Sequence, residues 1–403
     1  MDTFVSVEHA RRVVLAAARP TAAETVPLRD AVGQTLAAPV VARGDQPPFD
    51  ASAMDGFAVR RPDLAGADSL PIVGTVHAGE APPPLPPGAA VAIMTGAPVP
   101  AGADAVIPVE RATRDGDRVR FDATPEAGAN IRWAGEWLRD RSPVLDAGTL
   151  VTPGVLGLLA SVGAATVEVR RRPRVAVIAT GDELVDVAEA PGPGLIRDSN
   201  GPGLAAQAEA AGGAVVGPFV ARDTAPAIAR VLDATAEADV LVFAGGVSMG
   251  ERDLVRTVLD ERGAEWAFWK VRQRPGKPLA FGTLGGRPVV GLPGNPVSAA
   301  VCFEVYVRPL LRACLGRPTG PATEPATLDA PLSKPAGLHT FARVTARRDA
   351  DGRLHVAPAG AQGSHVALSL AVSDGLAHLP SRWAEAPSGA EVAFERWGWA
   401  PAL

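Results

Sequence analysis

Four short segments carry residue types that together would hold a phosphorylated ligand and a divalent metal. They are Thr180-Gly181-Asp182-Glu183-Leu184; Ala244-Gly245-Gly246-Val247-Ser248-Met249-Gly250, followed by Glu251 and Asp253; Arg274-Pro275-Gly276-Lys277-Pro278; and Gly291-Leu292-Pro293-Gly294-Asn295-Pro296-Val297-Ser298. The glycine loops and Ser248 offer amide and hydroxyl donors to phosphate oxygens, and Arg274 and Lys277 supply positive charge. Asp182, Glu183 and Asp253 are hard oxygen ligands suited to Mg²⁺. In the fourth segment two glycines permit close approach and two prolines hold the loop in shape. The first amides of the helix that follows would face an anion. A single glycine-rich turn is usually structural. Four of them on one sheet edge describe a ligand site.

Ligands of open α/β sheets bind outside the carboxyl ends of the strands, so these loops need strands ahead of them. Apolar runs at Val175 to Ala179, Ala214 to Val220, Val240 to Ala244 and Pro288 to Leu292 alternate with helical patterns at Pro202 to Ala211, Ala225 to Ala238, Asp253 to Glu261 and Val297 to Leu315. That alternation predicts a mainly parallel α/β sheet domain. Residues 4 to 19 have helical spacing, 24 to 43 are short and extended, and 152 to 169 read as a helix followed by a strand. From about 50 to 135 the pattern is short strands and turns. Its proline-rich stretch, Pro82 to Pro87, reads as a surface loop or as a polyproline ligand. Beyond Pro318 the chain is β-like again, with Asp351-Gly352 as a hairpin signal, and predicts a small barrel or sandwich.

The 403 residues are 47% hydrophobic, enough for two to four domains. A net charge of −5 argues against a general nucleic-acid or acidic-membrane binder. Asp2 and Glu8 stand where a secretory signal would be positive, and Val151 to Val167 is too interrupted for a membrane span. Cys302 and Cys314 on one helix lie roughly 18 Å apart, too far for a disulfide, which favours a reducing, cytoplasmic setting. The six histidines have no zinc spacing. A Walker loop, a dinucleotide fingerprint and a Gly-x-Ser-x-Gly elbow with a His partner are absent.

Two further segments stand out: Phe49 to Val59, containing Asp55-Gly56, and Ile93 to Pro100, containing Thr95-Gly96. Read alone, both are also ordinary turns. Taken in order with the four loops, with Arg197-Asp198-Ser199-Asn200 and with Gln362-Gly363-Ser364-His365, they resemble the MoeA family of molybdopterin molybdenumtransferases, which is similar to the C-terminal domain of gephyrin. The resemblance implies insertion of molybdenum from molybdate into adenylylated molybdopterin, with Mg²⁺ and release of AMP, as the last step of molybdenum cofactor synthesis. It implies an elongated domain (1–22 with 136–170), an inserted β-rich domain (23–135), the α/β domain (171–318) and a C-terminal β-barrel-like domain (319–403). It implies a homodimer whose cleft lies between the α/β domain of one subunit and the inserted domain of the other. A molybdopterin adenylyltransferase and molybdoenzyme maturation factors are the implied partners.

By the same resemblance, Asp182, Glu183, Asp198 and Asp253 hold Mg²⁺ or water, and Asp55 adds a carboxylate from the partner, with Thr95 and Gly96 beside it. Ser199, Asn200, Gly245, Gly246, Ser248, Gly250, Gly276, Lys277 and the Pro293-Gly294-Asn295 turn hold pterin phosphate or AMP. Arg274, Arg343 and Ser364 hold the molybdate oxyanion. The chain departs from the family pattern at Trp137, where an acid is common and Glu136 is the candidate replacement. It departs also at Thr224 for a second acid, at Ala51 for Asn and at Arg274 for Lys. Two other functions compete. One is a non-catalytic pterin-binding scaffold, mildly favoured by Trp137. The other is an unrelated Mg²⁺-dependent phosphohydrolase.

Overall fold

The computed structural model describes residues 1–246 and 254–400. Ser248, Gly250 and Asp253, expected at the site, lie outside the described residues. A seven-stranded mixed sheet forms the centre, in the order Asp2–Val5, Ala264–Val271, Ala280–Leu284, Arg287–Leu292, Val240–Ala244, Arg174–Thr180, Ala214–Ala221. Strands Arg174–Thr180 and Val240–Ala244 are apolar nearly throughout because both faces are covered. One core sets Val175, Val177 and Val242 against the helices around Leu204 and Leu310; the other sets Ile178 and Phe243 against Ile228 and Val258.

The expected parallel strands are all present. The sequence reading missed the three strands on the other side of the sheet. Ala280–Leu284 runs antiparallel to both its neighbours and turns into Arg287–Leu292 through Gly285-Gly286, both at positive φ (56° and 76°). That two-glycine hairpin signal stood in the sequence. Helices occupy Asn200–Ala210, Ala225–Ala234 and Leu254–Glu261. The expected helix from Val297 is Pro296–Cys302, a π-helical turn at Phe303–Val307, and Arg308–Cys314. The irregular turn precedes Pro309, which has no N–H to continue the ladder. Cys302 and Cys314 are buried free thiols.

Strand pairing divides the N-terminal half differently from the expected boundaries. Asp2–Val5 pairs with Ala264–Val271, and helix Val7–Ala16 buries Val7, Ala10 and Val14 in the α/β core, so residues 1–22 belong with that domain. Ala23–Pro27 pairs with Thr166–Arg170, and Val40–Val41 with Pro143–Leu145. Leu36, Leu159 and Val169 share one core there. The stem is thus built from residues 23 to about 46 with 136–170. The inserted domain is a six-stranded sheet in the order Ala105–Pro108, Gly56–Val59, Ala90–Ile93, Leu70–Val76, Arg118–Phe121, Ala112–Asp115, with apolar clusters on both faces.

At the C-terminus five strands close into a barrel. His339–Arg348 pairs with Leu354–Pro358 and with Gly375–Leu379; Thr323–Leu328 and Glu391–Arg396 complete the ring. The short strand Gln273–Arg274 joins the barrel beside His339 and Thr340, tying the third loop to this domain. Among the described residues no helix is long and apolar enough to cross a membrane.

Candidate functional site

Strands Arg174–Thr180, Val240–Ala244 and Arg287–Leu292 run parallel, so their carboxyl ends emerge on one edge. There they open into a cleft of about 460 Å³. All four expected loops line it: Gly181 and Glu183 from the first, Gly245 and Gly246 from the second, Pro278 from the third, and Pro293, Gly294 and Asn295 from the fourth. Asp198, Ser199 and Asn200 line it too, and so does Asp223.

Glycine is required at specific points of these walls. Gly246 has φ 63°, and a Cβ there would stand 2.5 Å from Thr180 Oγ1 and 2.6 Å from Val255 Cγ2. A Cβ on Gly294 would stand 3.8 Å from Gly245 Cα, an ordinary contact, so the second and fourth loops lie side by side. At Gly245 and Gly246 the wall is therefore main chain, which a bulky anion can approach closely. The Asn200 side-chain amide donates to the Gly294 carbonyl (2.7 Å) and fastens the 198–200 turn to the fourth loop. The amide of Val297 is already taken by the Ser364 carbonyl (3.2 Å). Asn295 Nδ2 also donates to Ser364 Oγ (3.2 Å). The fourth loop therefore joins the cleft to the barrel, and Val297 N is not left facing a ligand as expected.

The carboxylates gather at the other side. Asp198 is 5% exposed, and its Oδ1 accepts from Gly201 N (2.9 Å). Asp182 stands just behind the lining; its Oδ1 accepts from Asp223 N (3.1 Å) and its carbonyl from Arg222 Nη1 (2.7 Å). The Asp223 carboxyl is held above the usual carboxylate range, first by partial burial, then by the charges of Asp182 and Glu183. None of Asp182, Glu183, Asp198 and Asp223 forms an ion pair with a described cation. Among the described residues no group of three His, Cys, Asp or Glu side chains is closed around a metal position. Asp223, next to the departure at Thr224, is not among the expected site residues; strand Ala214–Ala221 delivers it beside Asp182.

A raised carboxylate pKa means that ionisation costs the fold. Stability is full at low pH and falls as pH rises through the Asp223 range. Asp223→Asn is therefore expected to melt higher than the parent at neutral pH, with the gap closing on acidification. Mg²⁺ should raise the parent's midpoint more than the variant's. Thermal denaturation across pH, with and without Mg²⁺, checks both.

The expected cations divide between two places. Arg274 lines a second cavity, of about 360 Å³, between the third loop and the barrel, together with Arg343, Lys334 and Gln362. Arg343 is 1% exposed and has no carboxylate partner. Its guanidinium donates to Ser369 Oγ (3.2 Å) and to the carbonyls of Ala361 (3.4 Å) and Gly363 (3.2 Å). Burial, then the nearby Arg274 charge, pushes its pKa down to about 10. Lys334 was missed in the sequence; its Nζ donates to three carbonyls, those of Pro335, Leu338 and Trp383. Ser364 lies on the connecting loop and does not line this cavity. Lys277 lies 5.0 Å from the Phe4 ring centroid and lines neither cavity. Gly276 lies between them in the turn, against Cys302.

Asp55, Thr95 and Gly96 form a separate constellation on the inserted domain. Asp55 Oδ1 accepts from Thr95 N (2.7 Å) and Thr95 Oγ1 (2.8 Å), which holds its carboxyl below the usual range. Gly96 N donates to the Ser52 carbonyl (2.8 Å), joining the two segments. This group does not line the cleft within one chain. Glu136 Oε2 accepts from Trp133 N (2.9 Å), and Trp137 is half exposed at 55%.

Comparison with known proteins agrees with this layout along the whole chain. Residues 5–163 match the MoeA N-terminal region (domain I and II), 176–313 a probable molybdopterin binding domain, and 325–397 the MoeA C-terminal region (domain IV). Molybdopterin molybdenumtransferase 2 of Mycobacterium tuberculosis (strain ATCC 25618 / H37Rv) is 40% identical over 96% of this chain and 98% of its own length. A molybdopterin molybdenumtransferase of Haemophilus influenzae is 35% identical over 93% and 94%. Among solved structures, the molybdopterin biosynthesis moeA protein of Pyrococcus horikosii superposes with a TM-score of 0.84 at 32% identity, covering 98% of this chain and 99% of that one.

Proposed function

The chain belongs to the MoeA family, the molybdopterin molybdenumtransferases of molybdenum cofactor biosynthesis, and from that premise we propose that it transfers molybdenum from molybdate to adenylylated molybdopterin with release of AMP. One observation carries the reading. A cleft lined by glycine loops and carboxylates is joined by the third loop, with Pro278 in the cleft and Arg274 and Pro275 beyond it, to a cavity whose two arginines and one lysine face no carboxylate in its lining. A phosphorylated pterin suits the first and a tetrahedral oxyanion the second.

Each group has a physical task. The glycines 245 and 246 keep the cleft wall low, so that phosphate oxygens reach the backbone. Arg274 offers N–H donors on a planar fork, which suits pairs of oxyanion oxygens, and Arg343, whose Nε and Nη2 serve Ser369, Ala361 and Gly363, adds positive charge beside it. Glu183 and Asp223, with Asp182 bonded to the Asp223 amide, carry charges whose repulsion a divalent cation would relieve, and Asp198 lines the same cleft, so the donor set is of the oxygen type that suits Mg²⁺. Bound there, Mg²⁺ would offset charge on the leaving phosphate. Asp55, held ionised by Thr95, is assigned to the cleft of a second subunit in a homodimer.

Adenylylated molybdopterin incubated with the protein, Mg²⁺ and molybdate tests the reading against general phosphohydrolase activity. Consumption that requires molybdate, with simple nucleotides untouched, supports the transferase. Hydrolysis of simple nucleotides without molybdate contradicts it.

A further inference from the structure

We propose that Gln273, Cys302 and Tyr306 form a buried positioning device that fixes the turn from Arg274 to Lys277 and thereby sets how tightly the cationic cavity holds its oxyanion. The proposal rests on the reading of that cavity as the oxyanion site. None of the three residues lines either cavity, so they act through Arg274.

The three are 0%, 0% and 1% exposed. Tyr306 donates its hydroxyl hydrogen to Gln273 Oε1, which fixes which way the amide points. Gln273 Nε2 is then turned toward the Gly276 carbonyl (3.1 Å) and toward Cys302 Sγ (3.2 Å). The Cys302 thiol also reaches the Gly276 carbonyl (3.7 Å). Gly276 is at φ 87°, and a Cβ there would stand 2.2 Å from Cys302 Sγ and 2.8 Å from Gln273 Nε2. The turn thus lies directly on the amide and the thiol, with no room between.

Polar side chains this deep cost desolvation free energy, and apolar ones would fill the space more cheaply. What the trio adds is direction. The neighbouring backbone is held from the other side by pairing of Gln273 and Arg274 with His339 and Thr340 of the barrel. Arg274 therefore leaves a backbone gripped on both sides, and lines the same cavity as the buried Arg343. Loss of the Tyr306 hydroxyl frees the Gln273 amide to rotate and releases the Gly276 carbonyl.

A double-mutant cycle read by calorimetric titration with sodium molybdate tests this. Tyr306→Phe is expected to weaken molybdate binding about tenfold in the parent and less than about twofold in an Arg274→Ala background, as for coupled residues. Where Tyr306→Phe does not fold, Cys302→Ala is expected to show the same non-additivity. A purely structural role predicts equal weakening in both backgrounds, and that result, or an unchanged affinity in Tyr306→Phe, overturns the proposal alone. Unchanged molybdate affinity in Arg274→Ala, or no binding to the parent at millimolar molybdate, overturns the oxyanion reading and this proposal with it.

Discussion

Glu183→Gln is expected to reduce molybdenum insertion about a hundredfold or more while leaving the fold intact and the melting midpoint unchanged or slightly raised, since one charge facing Asp223 is removed. The substitution keeps shape and removes one charge from the cleft wall. Losses of this size follow when a single preorganised electrostatic group is removed from a reaction centre. The side chain lines the cleft, and its carboxylate folds back against Gly181, where a Cβ would be only 2.4 Å from Glu183 Oε2. It has no described ion-pair partner whose loss would unsettle the fold. Turnover measured in a molybdate-dependent assay, beside a melting curve, checks it. Near-parental turnover would remove Glu183 from the mechanism.

Arg343→Met should separate binding from stability. A guanidinium that is 1% exposed, without a carboxylate, and held down to about pKa 10, is costly to keep charged. Replacing it with an apolar side chain of similar length removes that cost. The carbonyls of Ala361 and Gly363 that it served lie on an exposed or half-exposed loop and can take water instead. The melting midpoint is therefore expected to hold or rise. Molybdate affinity is expected to fall roughly ten- to a hundredfold, the equivalent of one charged hydrogen-bonding partner at about 1.5–3 kcal/mol. A variant that unfolds yet binds molybdate normally at low temperature would make Arg343 a structural residue.

Much of this architecture could be read along the chain because local rules govern it. Val175 to Ala179 and Val240 to Ala244 are apolar without alternation, as strands buried on both faces must be. Asp351-Gly352 and its flanks gave the hairpin, with Gly352 at φ 78°. The glycine loops announced the cleft because main chain must be exposed to a ligand there. What stayed hidden depends on pairing across long separations. Asp2–Val5 sits beside Ala264–Val271, some 260 residues away, and no local pattern specifies that partner. The same distance carries Phe4 under Lys277 and takes that lysine out of the cleft. Lys334 gave no signal because its partners are carbonyls, which every residue has. Asp223 gave none because its role comes from standing next to Asp182, on a neighbouring strand end.

The sequence also grouped Arg274, Lys277 and the fourth loop as one set, whereas the fold sorts them into two cavities and a surface stack. That sorting gives the proposed reaction its two substrate positions. Trp137, where an acid is common in the family pattern, is half exposed at the edge of the stem beside Glu136, whose Oε2 accepts from Trp133 N.

The most direct test is a single-turnover experiment with adenylylated molybdopterin, Mg²⁺ and purified protein, in which AMP and pterin-bound molybdenum are both counted, with and without molybdate. Equal amounts of AMP and pterin-bound molybdenum, both requiring molybdate, are the predicted result. Tight pterin binding with no AMP released, or AMP released without molybdenum on the pterin, would contradict the account.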